Sequence, residues 1–178
     1  MSSTELSAET RARVLEAAWQ RALEHGPSGV SVKDIAASAG VSRQLVYFHY
    51  GNRAGLLTAM ARHRDESSGF ARAVAAGAPL EELLRAWCDY LPEILPVARA
   101  LEAALVTGDE GGSAWRDRMG ELHTIFARAV PDDPPWVADW IWAHVQPSTY
   151  AHLVHERGWT HAEFTDRTIA QLKRDSPL

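Results

Sequence analysis

The chain has 178 residues, 46% of them hydrophobic, with 18 basic and 23 acidic side chains and a net charge of -5, which excludes compositional disorder and suits one compact domain or two closely packed ones. A single cysteine, Cys88, excludes an internal disulfide framework and fits a reducing compartment. The opening residues hold no apolar run of the secretory type and no uninterrupted apolar stretch is long enough to cross a bilayer, so a soluble cytoplasmic protein with no membrane partner is expected. In chain order, Val14, Ala18 and Ala22 recur four apart with Leu15 and Trp19 beside them, which predicts an amphipathic helix over 8–25. The Gly26-Pro27-Ser28-Gly29 segment should end it. Ser31 is expected to cap a second helix over 32–39 with its hydroxyl, and Asp34 to complement the helix dipole. Gly40 should break that helix, and Ser42 should cap a short third one ending at 49–51. Asn52 should then cap a fourth helix running through Leu56, Leu57 and Met60 to about Ala75.

After Gly77-Ala78-Pro79, a helix is expected from Leu80 to about Leu91, with Leu83, Leu84, Trp87 and Leu91 on one face. Pro92 and Pro96 are expected to bend the stretch that follows, which should end by Gly108 with Gly111-Gly112 as a loop. Another helix is expected over 113–130, bounded by the proline-rich segment 131–135. An aromatic-rich helix over 136–156 should be kinked at Pro147 and stopped by Gly158. Thr160 and Glu163 have the spacing of a capping box for a last helix reaching about Lys173. Alternating strand patterns and internal repeats are absent, so the expected fold is all-α.

Function concentrates in residues 31–50, SVKDIAASAGVSRQLVYFHY. Val32, Ile35 and Ala36 form an inner face, Ala39-Gly40 a tight turn, Val41 a plug at the joint, and Val46 a return to the core. The pattern is a helix-turn-helix whose second helix is expected to present Ser42, Arg43, Gln44, Tyr47 and His49 outward. Arg reads guanine and Gln reads adenine in a major groove, while hydroxyls suit phosphates. Charge is distributed to match. Residues 1–64 carry eight basic and five acidic side chains, a net +3, and the rest of the chain carries -8.

With these residues in view, TRARVLEAAWQRALEHG followed by SVKDIAASAGVSRQLVYFHYGNRAGLL resembles the DNA-binding region of the tetracycline-repressor (TetR) family, without a gap over 10–57. The resemblance implies an N-terminal three-helix DNA-binding domain over 1–51 and a C-terminal helical effector-binding and dimerisation domain over 52–178. It further implies a homodimer formed through the last two helices. By carry-over, Ser42, Tyr47 and His49 would meet the DNA, Arg53 would grip a phosphate where the family usually has Lys, and Ser31 would do likewise. Three positions depart from the family pattern. Ala22 replaces a bulky aromatic, with Trp19 expected to supply the volume. Gln44 replaces a small residue, and Pro27 replaces an aromatic.

Six of seven tryptophans lie after residue 80. One reading is a pocket for a small apolar or aromatic effector, with Trp87, Tyr90, Trp115, His123, Trp140 and His144 as candidate lining. The other is core and dimer interface. Trp136, Trp140 and Trp142 cannot share one helical face. His144, His152 and His155 lie near one side of the same segment but lack a carboxylate or cysteine at fixed spacing, so hydrogen-bonded pocket or interface histidines are expected and no metal or other cofactor. Cys88 has only Arg85 nearby to activate it, which argues against a redox switch. No phosphate loop, nucleophile elbow, HExxH or paired-carboxylate motif supports an enzyme. The expected function is a ligand-responsive transcriptional regulator, a repressor released from a palindromic double-stranded operator by a small molecule. The competing classes are an enzyme working through scattered histidines and a helical interaction module without DNA affinity.

Overall fold

A computed structural model describes residues 6–25, 31–108 and 111–175. The described residues form helices and turns with no strand. The helices are α1 (Ala8–His25), α2 (Val32–Ala39), α3 (Arg43–Tyr50), α4 (Arg53–Glu66), α5 (Gly69–Ala75), α6 (Leu80–Thr107), α7 (Gly111–Ala129), α8 (Pro135–His144), α9 (Pro147–Ala151) and α10 (His161–Asp175). A π-helical turn, His152–Glu156, follows α9. The segment 26–29, expected to end α1, lies outside the described residues.

The chain divides into two compact units, one of Met1–Glu66 with Pro96–Arg116 and one of Ser67–Leu95 with Asp117–Leu178. In the first, α1 packs on α2 and α4, while α3 packs on α2 and α4. The interior is the apolar stripe of each helix: Leu15 and Trp19 from α1, Ile35 from α2, Val46 from α3, and Leu56, Leu57 and Met60 from α4. Burying one such aliphatic side chain stabilises the fold by about 1.5–3 kcal/mol. In the second unit Phe70 of α5 lies edge-on to Trp87 of α6, ring centroids 5.1 Å apart, and meets Phe126 of α7 at 6.2 Å. The Trp87 indole Nε1 donates to the carbonyl of Val145, just past α8, at 2.8 Å. Tyr150 packs edge-on against Phe164 of α10 at 4.9 Å.

Local signals explain most of the boundaries. Gly40 takes φ 67 at the end of α2, a left-handed conformation in which a Cβ would be strained, and this lets the Val41 N–H reach the Ala36 carbonyl at 2.9 Å. Thr160 and Glu163 form the expected capping box: the Thr160 N–H donates to Glu163 Oε2 at 2.9 Å and the Glu163 N–H to Thr160 Oγ1 at 3.1 Å.

Four expectations are corrected. The fourth helix does not run to Ala75. It ends at Glu66, and Ser68 caps a separate α5 by accepting the Ala71 N–H at 3.0 Å. α6 continues through Pro92 and Pro96 as one helix of 28 residues, because its apolar face stays buried on both sides of the prolines at Leu91, Ile94, Leu95 and Val97. Gly111 and Gly112 belong to α7 rather than to a loop. The aromatic-rich segment is divided rather than kinked: α8 stops at His144, and Pro147 occupies the first turn of α9, where its missing N–H costs nothing.

Candidate nucleic-acid interface

The turn at Gly40 and the caps at Ser42 and Asn52 fix how α3 is presented. Ser42 is extended at φ -77, ψ 148, and its hydroxyl accepts the Leu45 N–H at 3.1 Å. Asn52 Oδ1 accepts the Gly55 N–H at 2.9 Å at the start of α4. Between these caps Val46 alone is fully sealed on α3, which anchors the helix inward and leaves the opposite face outside. That face carries two ridges at i, i+4 spacing, Arg43 with Tyr47 and Gln44 with Phe48, and all four side chains are exposed. Tyr47 is 50% exposed and Phe48 66%. A short helix offering a guanidinium, an amide and two aromatic rings to solvent, seated on a second helix through a glycine turn, has the shape that enters a major groove.

A family model described as "Bacterial regulatory proteins, tetR family" matches residues 14–60, from the middle of α1 into α4 and across the whole exposed ridge. Among curated proteins, the HTH-type transcriptional repressor SCO4008 of Streptomyces coelicolor is 39% identical over 123 residues, 68% of this chain and 61% of that protein. The HTH-type transcriptional repressor LfrR of Mycolicibacterium smegmatis is 28% identical over 145 residues, 77% of this chain and 76% of that one. The chain belongs to the TetR family. Its fold is also that of a transcriptional regulator from Saccharomonospora viridis solved in complex with choline, with a TM-score of 0.71 at 17% identity over 96% of this chain and 98% of that one.

The remaining candidates are placed as follows in this TetR-family chain. Ser31 occupies the N-cap of α2 at φ -96, ψ 124, but its hydroxyl makes no capping hydrogen bond, contrary to expectation. Arg53 is the first residue of α4 and is half-buried. His49 is not on the outer face with Arg43 and Tyr47. It is half-buried, its Nε2 shielded from solvent without a hydrogen-bond partner, and the neighbouring Tyr50 hydroxyl is in the same state. Burial pushes the Tyr50 phenol above its ordinary range, partly offset by the positive charge of Arg11. Trp19 is buried in α1 next to Ala22, with the Arg64 guanidinium 5.3 Å from its ring centroid. Phe48 was absent from the sequence-derived set, and its four-residue step from Gln44 is the signal that could have found it.

The six effector candidates fall in separate places. Trp87 and Tyr90 lie together in the core of the second unit, ring centroids 6.2 Å apart, whereas Trp115 is buried in the first unit. His123 Nε2 pairs with Asp139 Oδ1 at 2.7 Å. Trp140 is 43% exposed on α8 and its ring centroid lies 4.2 Å from that of His144, tilted by 53°, while His144 Nδ1 donates to the Trp140 carbonyl at 2.8 Å. Among the described residues no group of three or more His, Cys, Asp or Glu side chains is placed to hold a metal ion, and no helix is long and apolar enough to cross a membrane. Cys88 is buried, and burial, with the adjacent Asp89 charge, pushes its thiol up to about 12.

Proposed function

We propose that the chain is a ligand-responsive repressor that acts in the cytoplasm as a homodimer, binds a palindromic double-stranded operator and releases it when a small apolar or aromatic molecule binds. The observation that carries the reading is the exposed Arg43–Tyr47 and Gln44–Phe48 pair of ridges within the stretch matched to the family. Arg43 and Gln44 are assigned to base edges, Ser31, Ser42, Tyr47 and Arg53 to phosphates and register, with residues 1–51 as the DNA-binding part and 52–178 as the effector and dimer part. His49 is assigned to the groove's edge through its ring, since its Nε2 faces inward.

The dimer is assigned to the last helices. Trp136 and Trp140 stand 52% and 43% exposed on α8, an apolar surface suited to a second copy. Trp87 and Tyr90 are assigned to the effector pocket, with Trp115, His123 and His144 as weaker members of that set. Two relatives named as repressors and a neighbour of the same fold holding choline support a small-molecule switch over turnover chemistry. An effector can act only by binding the two DNA-binding states with different affinity.

Anisotropy of a labelled duplex from the region upstream of the chain's own gene tests the reading. Saturable, salt-dependent binding of two chains per palindrome is expected, and Arg43→Ala should weaken it by about 1–3 kcal/mol. Tyr47→Ala should weaken all duplexes alike. Unchanged affinity in both variants, or a strictly monomeric protein, excludes it.

A further inference from the structure

We propose that Phe48 is a base-reading residue: its ring packs on the C5-methyl group of a thymine in the major groove, about two base pairs from the adenine assigned to Gln44. The inference rests on the operator reading and adds to it a stated base and a stated chemical group. Among the described Phe, Tyr and Trp side chains Phe48 is the most exposed, at 66%, whereas the chain's other three phenylalanines, Phe70, Phe126 and Phe164, are buried. Its direction is set by the helix. Val46, two positions earlier on α3, is sealed in the core, and side chains two apart on a helix diverge. The His49 ring stands edge-on to Phe48, centroids 5.2 Å apart and planes at 83°, and is itself half-buried with Nε2 shielded. The exposed ring is therefore braced from the protein side before any DNA arrives.

The chemistry of the ring selects the partner. A phenyl group has no donor or acceptor, so it makes no hydrogen bond to a phosphate or a base edge, unlike the Tyr47 phenol one position earlier. Major-groove base edges are donors and acceptors with one apolar group among them, the thymine methyl. Position on the helix then gives the spacing. Phe48 shares an i, i+4 ridge with Gln44. Four residues rise about 6 Å along a helix and successive bases lie about 3.4 Å apart, so the amide and the ring span about two base pairs. Gln44 reads an adenine, and Phe48 meets a methyl group about two steps away. A second copy of the chain is the competing cover for an exposed ring. Phe48, however, is bordered by the exposed polar side chains of Arg43, Gln44 and Tyr47 within the stretch matched to the family, so it continues the nucleic-acid face.

The test removes the methyl group and leaves the hydrogen-bonding edge intact. The full-length protein selects a duplex from a random-sequence pool, and each thymine of that duplex is replaced in turn by uracil. Affinity is read by anisotropy at fixed salt. One thymine in each half-site should stand out, its replacement in one half-site weakening the parent by about fourfold, as expected for burial of one carbon. Phe48→Ala should bind the thymine and uracil duplexes alike. Equal affinity of the parent for all of the uracil duplexes, or a selected site without thymine, overturns the contact. An equal loss in parent and Phe48→Ala overturns it too, by assigning the methyl effect to duplex shape. A changed oligomeric state of Phe48→Ala in sedimentation overturns it by giving the ring to a second copy. Failure of the parent to select any duplex removes the operator reading and this contact together, whereas indifference to uracil in a selected duplex removes the contact alone.

Discussion

The close approach of α4 to the end of α3 predicts opposite signs for two glycine-to-alanine changes, both inside helices. Alanine is favoured over glycine in a helix by about 1 kcal/mol. At Gly120, exposed in α7, a Cβ meets nothing within 4 Å, so Gly120→Ala should gain about 0.5–1 kcal/mol. At Gly55 the added Cβ would overlap the Tyr50 carbonyl oxygen and lie 3.2 Å from its carbon. That oxygen is held in place: it accepts the Asn52 N–H at 2.8 Å, and Asn52 Oδ1 accepts the Gly55 N–H at 2.9 Å. Relief of the overlap must separate α3 from α4 and strain both bonds, each worth about 1 kcal/mol, on top of about 1–3 kcal/mol for overpacking. Less the propensity gain, Gly55→Ala should cost about 2–4 kcal/mol. Urea unfolding of the three proteins, followed by circular dichroism, reads both signs. A Gly55→Ala protein as stable as the parent would refute the inferred contact, and with it the rigid α3–α4 junction on which groove presentation depends.

Other consequences are more local. Trp87→Phe keeps the ring packing but leaves the Val145 carbonyl, buried at 0% exposure, without its 2.8 Å donor, and should lower stability by about 1–3 kcal/mol in thermal melts. Cys88, its thiol pushed up to about 12 and buried, should not react with a thiol-specific disulfide reagent in mildly alkaline buffer until the chain is unfolded in urea. Glu163 is held below its ordinary carboxyl range, first by the backbone hydrogen bond from Thr160 and then by the Thr160 hydroxyl. Its contribution is therefore full above that ordinary range and is lost as pH falls through the lowered folded value. The stability difference between parent and Glu163→Gln should be present at neutral pH and vanish in acid, as read from urea midpoints over a pH series.

The recognition unit was legible because its instructions are local. Gly40 needs positive φ, Ser42 and Asn52 each accept an N–H three residues on, and the apolar spacing of α1 and α2 yields Ala8–His25 and Val32–Ala39 at the expected bounds. The Thr160–Glu163 box was legible for the same reason. Sequence reading failed where a local signal competes with tertiary burial or is weak in isolation. The Ser67-Ser68-Gly69 break was hidden in a run that otherwise reads as one helix, although Ser68 is a good N-cap residue. A helix ending near Leu91 was expected because Pro92 and Pro96 each remove a helix hydrogen bond, yet α6 runs unbroken from Leu80 to Thr107 with buried side chains on either side of the prolines.

Side-chain direction at the end of α3 was the other gap, and it bears most on function. His49, Phe48 and Tyr50 are all aromatic, so hydropathy spacing cannot say which of them faces solvent. That is decided by α4, brought against the Tyr50 carbonyl because residue 55 has no Cβ. With α4 in place, Phe48 is left outside beside Gln44, while the polar atoms of His49 and Tyr50 are shut in. A single glycine outside the recognition helix thus divides its last turn into a ring offered to the groove and two rings whose polar atoms are shut in. Gly55→Ala should therefore disturb operator affinity, whereas Tyr50→Phe should leave the outward ridge of Arg43, Gln44 and Tyr47, and with it operator affinity, as it was.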